Sequence, residues 1–386
     1  MAARSTRIDA LRGLAVFGIL LVNVWGFVYG FSLYNYPANG LTAIDKLAVF
    51  VVAAFAEQKF YPIFAFLFGA GFALQTGRLR APGPALEARK ATYRRRLQWL
   101  LGCGLLHGTL LWFGDILFAY SLTGFWLAYK AGRPLAQLGR TLRILVIVNA
   151  IILAIYAALS WSIFDAGVDA VIARQQVTET THAIYTHGSW GQVARQRMTD
   201  FGVNISGFVI FIPRLALLFL LGVFAVRLGW LTRPQRHRPA WRKVLWLGLA
   251  LGLPLNFLWG MVALANVIDP FDPPAGFALM VALVDIGGPL LAAALVALFM
   301  LARDGFCWWL APVGRMALTN YLCQSVILML LLQGFGLGLG AALAHAQLLG
   351  VCLGIMLVQL LFCHWWLASH TQGPAEALWR RYTEAR

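Results

Sequence analysis

His107 and Asp115 stand eight residues apart in the segment LLHGTLLWFGDIL, with Gly114 between them. An imidazole takes up and releases a proton near neutral pH, and a carboxylate partner orients it and tunes its basicity. Eight residues are a little over two helical turns, so both side chains can face one cavity at different heights. Gly114 marks a point where the helix can break. The alternative makes Asp115 a cap at the end of its apolar run. His107 is the first histidine of the chain and the only one within the first eight apolar runs.

Three more polar residues interrupt apolar runs at a similar depth. Counting about 1.5 Å per helical residue from the nearest run end, Asn23 and His107 lie roughly 16 Å deep, Arg214 about 15 Å and Asp285 about 14 Å. Four such side chains from four helices predict a shared polar layer, because ionisable groups at membrane depth are costly. Taken singly, each has a plainer reading. Arg214 and Asp285 form an ion pair that sets helix register, Asn23 is interhelical glue, and His107 is a neutral packing residue. Glu57 and Lys59 precede the second run at what reads as the outer surface, where they either line a cavity mouth or anchor the interface. Asp9 and Arg12 can pair across one turn. Arg12 is either a phosphate contact or a topology signal. Arg315 and Asn320, in the segment GRMALTNYLCQSVI (314–327), complete the candidate binding set.

The elements that must position these groups follow from composition. Of 386 residues, 60% are hydrophobic and 12% charged, against about 25% charged in soluble domains. Lipid is therefore the expected solvent, and the expected fold is one all-α transmembrane domain over 1–386. Runs of membrane-crossing length lie at 11–31, 59–76, 97–114, 115–131, 142–163, 204–226, 244–267, 277–301, 313–333 and 347–367, about ten helices at roughly 20 residues each. The first is expected to be a retained helix and not a cleaved leader, although Arg4, Arg7 and Arg12 precede it. Residues 44–56 are too short to cross and are expected at the outer interface or as a re-entrant segment. Twenty-five of the 31 Lys and Arg residues fall on the side of the N-terminus, five opposite, and Arg214 within a run. That bias predicts cytoplasmic termini, with a cytoplasmic tail at 368–386.

The same clustering explains the net charge of +16 without nucleic acid. The longest outer loop, about 164–203, contains Asp165, Asp169, Glu179, His182, His187 and Asp200 at no metal-ligand spacing, and is expected to be solvated. GFGLGLG (334–340) lacks the preceding strand and following lysine of a phosphate loop and reads as an outer turn. The five cysteines lie in or beside apolar runs without a C-x-x-C pair, so neither disulfides nor metal is expected.

Several motifs together resemble the YeiB-like bacterial membrane proteins, family 418 of the domains of unknown function. They are RIDALRGLAVFGILLVN (7–23), EQKFYPIFAFLFGAGFAL (57–74), LLHGTLLWFGDILFAYSLTG (105–124), RLALLFLLGVFAVRLG (214–229), GRMALTNYLCQSVI (314–327) and GPAEALWRRYT (373–383). The opening motif also resembles that of the transmembrane acyltransferases of envelope sugars and of the lysosomal heparan glucosaminide acetyltransferase. In those, an aspartate lies three residues before Arg-Gly and a polar residue eleven after the arginine. Asn23 falls where the lysosomal enzyme also has asparagine. NGLTAIDKL (39–47) is similar to the segment that follows its outer histidine, but that histidine has no counterpart here.

The resemblance implies a multi-pass protein of the bacterial inner membrane. It would move an acyl group from cytoplasmic acyl-CoA, acetyl-CoA foremost, to an extracytoplasmic or lipid-linked acceptor such as an envelope glycan. His107 would be the base, Asn23 an oxyanion donor and Arg12 a phosphate contact. The bilayer is the expected environment, and a homodimer is an open alternative to a monomer. The same polar layer would also serve a transporter or flippase, for which Pro213, Pro254 and Gly287-Gly288-Pro289 permit broken helices. A non-enzymatic membrane partner is the third alternative.

Overall fold

The computed structural model describes residues 6–31, 41–76, 84–130, 132–164, 167–268, 277–303 and 305–384. Arg4, Arg78, Arg80, Asp165 and residues 39–40, which entered the reading above, lie outside them. Among the described residues there are helices and no strands. In order they are α1 (Thr6–Tyr29), α2 (Ala43–Phe55), α3 (Phe60–Thr76), α4 (Pro84–Leu110), α5 (Leu117–Tyr129), α6 (Leu135–Phe164), α7 (Gly167–His187), α8 (Trp190–Ser206), α9 (Phe208–Arg227), α10 (Arg238–Ile268), α11 (Phe277–Leu301), α12 (Ala311–Arg315), α13 (Ala317–Leu332), α14 (His345–Ser369) and α15 (Pro374–Glu384).

Among the described residues, seven helices are long and apolar enough to cross a membrane, or eight if the pair bent by 78° at Met316 is one span. Their outward faces are apolar: α6 exposes Ile144, Val146, Ile147, Ile151 and Ile155, and α14 exposes Leu353, Leu357, Val358 and Leu361. Such faces are stable only where hydrocarbon replaces water. Helix α1 is buried along most of its length and forms the spine of the bundle.

The count is lower than the ten apolar runs because two of them pair off. The runs expected at 97–114 and 115–131 are the arms of an antiparallel hairpin, α4 and α5, in which Gly104 packs on Phe118 and Gly124 on Leu97. With 13 residues, α5 extends about 20 Å, short of a hydrocarbon core of about 30 Å. The hairpin tip is covered by α8. The Arg197 guanidinium donates to the Leu110 carbonyl, and at 2.6 Å to Gln333 Oε1, while Asn204 Nδ2 donates to the Phe113 carbonyl at 2.9 Å. The supposed solvated loop at 164–203 is thus mostly helical, with Arg197, Asp200 and Tyr185 buried. Arg197 meets the hairpin tip and Asp200 meets Tyr185 and Gln196, and this hides the packing role of the segment in a hydropathy reading.

A second correction concerns residues 44–56. Helices α2 and α3 form one 34-residue apolar span, Ala43–Thr76, interrupted at Ala56–Lys59, where Gln58 takes φ 61°. The segment is thus continuous with the next apolar run as the first arm of one interrupted span. Gly288 of α11 packs against the break, and a Cβ there would lie 2.6 Å from Gln58. The tail expected at 368–386 carries a helix of its own. Its helix α15 folds back, and the Glu376 carboxylate accepts from Leu318 N at 2.8 Å, Thr319 N at 3.2 Å and Thr319 Oγ1 at 2.6 Å. It thereby caps the start of α13, whose first amides have no partner within the helix.

Where α1 crosses α12 the backbones touch: a Cβ on Gly314 would collide with the Asp9 carbonyl, and one on Gly13 with the Leu310 carbonyl. Gly314→Ala is expected to destabilise the protein by about 1–3 kcal/mol through overpacking. Gly102→Ala, whose Cβ meets open space, should be neutral. Thermal unfolding in detergent, followed by tryptophan fluorescence, measures both.

Candidate active site

His107 lies in the last turn of α4 and Asp115 just before α5, so the hairpin turn itself brings them together. Nδ1 of His107 is 2.9 Å from Asp115 Oδ1. The other carboxylate oxygen accepts from Phe118 N at 2.8 Å, the capping role expected as the alternative. Asp115 therefore both caps and orients. Gly104 makes this close approach possible, since a Cβ there would lie 2.8 Å from Asp115 Oδ2. Both side chains are almost fully buried, at 1% and 0% exposure.

On its far side the imidazole meets α13, with Nε2 2.8 Å from Ser325 Oγ. An ionised carboxylate only accepts, so the network assigns the proton to Nδ1 and leaves Nε2 to accept from the serine hydroxyl. Ser325 is 3% exposed, and its residual bond to the Tyr321 carbonyl is long, at 3.4 Å. Tyr321 packs against the imidazole with ring centroids 4.8 Å apart.

A cavity of about 590 Å³ approaches this group from the basic end of the bundle. Its inner end is walled by Ile116, Leu117, Tyr120 and Tyr321, its middle by Val16, Ile19, Phe64, Phe68 and Leu100, and its mouth by Arg12, Arg96, Arg315, Arg380 and α15. The size falls within the usual range for small-molecule sites, and the apolar body with polar groups at its ends matches their usual lining. Arg12 bonds Asp9 at 3.1 Å, as expected across one turn. Arg96 stacks at 3.7 Å over Trp379, whose indole N–H donates to the Arg96 carbonyl at 3.1 Å. Arg315 donates to the Thr371 carbonyl at 3.0 Å. Nε of both Arg96 and Arg315 is buried and finds no hydrogen-bond partner among the described residues. Glu376 and Glu384 also line the mouth, with Glu384 paired to Arg380 at 2.8 Å.

Of the other expected site residues, Asn23 is half-buried on the α1 face that carries Arg12, Val16 and Ile19, one turn beyond the last. Asn320 belongs elsewhere. Its Nδ2 donates to the Val313 carbonyl at 3.1 Å and contacts Cys363 Sγ at 3.2 Å, so its amide is engaged between α12 and α14. Arg214 and Asp285 form a two-pronged pair at 2.7 and 2.6 Å, joined by the Tyr61 hydroxyl at 3.4 Å. Of Glu57 and Lys59, the first is half-buried and the second is away from the surface. Lys59 is wholly buried and donates to the Ala53 carbonyl at 2.9 Å, while Glu57 accepts from the Trp259 indole at 2.8 Å.

The single polar layer therefore resolves into two groups. One is Ser325–His107–Asp115 on α4, α5 and α13; the other surrounds the break between α2 and α3. Tyr120 stands between them, lining the cavity and donating to the Tyr61 carbonyl at 2.9 Å.

Ser325, Tyr321 and Arg96 escaped the sequence reading. Asn320, Tyr321, Gln324 and Ser325 do form a polar stripe at helical spacing within a motif already singled out, but no spacing rule couples Ser325 to a histidine 218 positions away.

At the opposite end, His182 is not free in solvent. It stacks on Tyr29 at 5.0 Å with Nδ1 3.2 Å from the Val28 carbonyl, and burial lowers its pKa against that bond. Burial likewise raises the pKa of Asp200, which accepts from the Tyr185 hydroxyl at 2.6 Å and from Gln196 at 3.0 Å.

Comparison with known proteins places these features in a lineage. Residues 225–386 match a family model described as "Protein of unknown function (DUF418)". The chain is 30% identical to "Uncharacterized protein YxaH" of Bacillus subtilis, over 97% of this chain and 93% of that one. It is also 30% identical to "Uncharacterized protein YeiB" of Escherichia coli, over 98% and 96%. The chain belongs to the DUF418 family. A 27% identical relative, "Uncharacterized 39.9 kDa protein in amylase 3'region" of Bacillus acidopullulyticus, is covered over 93% of its length. No solved structure gives a significant match.

The Arg214–Asp285 pair yields a stability prediction. Asp285→Asn should cost on the order of 3 kcal/mol, because it strands a largely buried guanidinium. Adding Arg214→Gln should recover part of that loss. A double-mutant cycle on unfolding in detergent measures the coupling.

Proposed function

We propose that this protein is an acyltransferase of the bacterial inner membrane. It would use cytoplasmic acyl-CoA, acetyl-CoA foremost, and pass the acyl group to a hydroxyl or amine of an envelope glycan or lipid-linked acceptor. The observation that carries the reading is the cavity. It joins a mouth of four arginines to an apolar passage that ends beside a buried, carboxylate-oriented histidine. A CoA ester has that polarity: phosphates at one end, a thioester and apolar chain at the other. Arg96 and Arg315, with Arg12, would hold the phosphates, the strongest contacts being charge-assisted N–H···O bonds. Trp379, stacked on Arg96, offers an aromatic edge near the mouth.

In this reading His107 takes the proton of the attacking group and Asp115 stabilises the imidazolium that results. Asn23 continues the cavity face of α1 and would donate to the oxyanion, a role worth about 2.7–4 kcal/mol where it has been removed elsewhere. The basic face is cytoplasmic by the positive-inside rule, which puts the cavity mouth where acyl-CoA is found.

The broken span favours a second reading. Buried Lys59 and half-buried Glu57 at an interrupted helix, beside the Arg214–Asp285 pair, make up the kind of polar group within a span that transporters use for a solute or coupling ion. Under that reading the protein is a transporter or flippase, and CoA plays no part.

Release of free thiol from acetyl-CoA by purified protein separates the two. The enzyme reading expects turnover that falls by about 10²–10⁴ in His107→Ala. Arg96→Ala and Arg315→Ala should raise KM with little change in kcat, as expected for uniform binding contacts, and the effect should shrink in high salt. Absence of both CoA binding and thiol release, with solute uptake into proteoliposomes, would replace the enzyme by the transporter.

A further inference from the structure

We propose that Ser325 is the nucleophile of this site and holds the acyl group as an oxygen ester between donor and acceptor. The identity of the donor rests on the acyl-transfer reading above; the reactivity of the hydroxyl does not.

A serine that merely packs inside a helix normally returns its hydroxyl to the carbonyl four residues back. Ser325 has that option, yet its Oγ lies 3.4 Å from the Tyr321 carbonyl and 2.8 Å from His107 Nε2. The shorter partner comes from another helix. Behind the imidazole, Asp115 holds Nδ1 at 2.9 Å and is itself tied to Phe118 N at 2.8 Å. Hydroxyl, imidazole and carboxylate thus stand in the order that activates a serine, each within hydrogen-bond reach of the next. All three are almost fully buried, where a chain of polar contacts is stronger than in water.

Access comes along α13. Ala317, Leu318 and Tyr321 line the cavity, and Ser325 lies one turn further on the same face. The Tyr321 ring stands beside the imidazole at the cavity end. Ser325 is 3% exposed and does not itself line the cavity, so the Tyr321 ring must be displaced for the thioester to reach Oγ.

The reaction balances without an oxidant or reductant. Ser325 Oγ attacks the thioester carbonyl carbon while its proton passes to His107 Nε2. The C–S bond breaks, the departing sulfur takes that proton, and free CoA thiol leaves an acyl ester on Oγ. In the second half His107 removes the acceptor's proton, the acceptor oxygen or nitrogen attacks the ester carbon, and the C–Oγ bond breaks. The proton on Nε2 returns to Oγ. Asp115 stays ionised throughout.

The test uses the full-length protein in detergent. A fluorophosphonate probe, mapped by peptide mass, should label Ser325 in the wild type and nothing in Ser325→Ala, and His107→Ala should slow labelling at least 100-fold. Radiolabelled acetyl-CoA without acceptor should give a burst of one thiol per protein and an adduct on the Ser325 peptide. Alkaline but not neutral hydroxylamine should release it, unlike a thioester on nearby Cys323. Ser325→Cys guards against misfolding of the alanine variant, since its thiol should react with iodoacetamide in a His107-dependent manner.

If Ser325→Ala turns over acetyl-CoA within a few-fold of wild type, transfer is direct; the inference is overturned and the acyltransferase reading stands. If the probe labels Ser325 but acyl-CoA is neither bound nor consumed, the nucleophile stands and the CoA reading falls. A wild type inert to both probe and acyl-CoA overturns both.

Discussion

A carboxylate deprived of water must be met by donors or give up its charge, and the arrangement around Asp115 answers that requirement. Its two oxygens are engaged by His107 Nδ1 and Phe118 N, one from each arm of the α4–α5 hairpin. The hairpin therefore has to turn within the bundle, and its arms have to approach closely at Gly104. The tip needs cover, because the carbonyls at the end of α4 have no partners within that helix. Helix α8 supplies it through Arg197 and Asn204. The cover by α8, the short α5 and the contact with α13 all accompany the placing of one ionisable pair inside an apolar assembly.

The second polar group obeys the same rule with other means. Lys59 is wholly buried and turns to the backbone of its own broken helix, while Arg214 and Asp285 neutralise each other across α9 and α11. A break in the span Ala43–Thr76 exposes carbonyls that a continuous helix would have used, and Ala53 lends one to Lys59. The charged members of each group find partners within it, so the two need not share a chamber. The cavity belongs to the first, with Tyr120 forming the wall toward the second.

Much of this was legible in the residues. The apolar runs announce the bundle. The pairings Asp9–Arg12 and Arg214–Asp285 follow from spacing and from the cost of isolated charge. His107 and Asp115 stood out because ionisable residues are rare in such runs. Other features were hidden for physical reasons. Glu57 and Lys59 look like surface anchors because charge beside an apolar run usually marks its end; here it marks a break within one span. Residues 164–203 look solvated because their polar residues are common in loops, yet Arg197 and Asp200 are consumed inside. Asn320 stands one residue from Tyr321, which lines the cavity, but faces Cys363.

By itself the sequence determined the solvent, the helical class and the short list of groups able to do chemistry, because hydropathy and the cost of buried charge act locally along the chain. Only the tertiary structure decided which of those groups meet. Ser325 touches His107 across 218 residues, and α15 returns from the end of the chain to wall a cavity that begins at Arg12. Such meetings depend on how helices cross, and helix crossing is set by backbone contacts such as Gly13 against α12, which leave no periodic trace in the order of the residues.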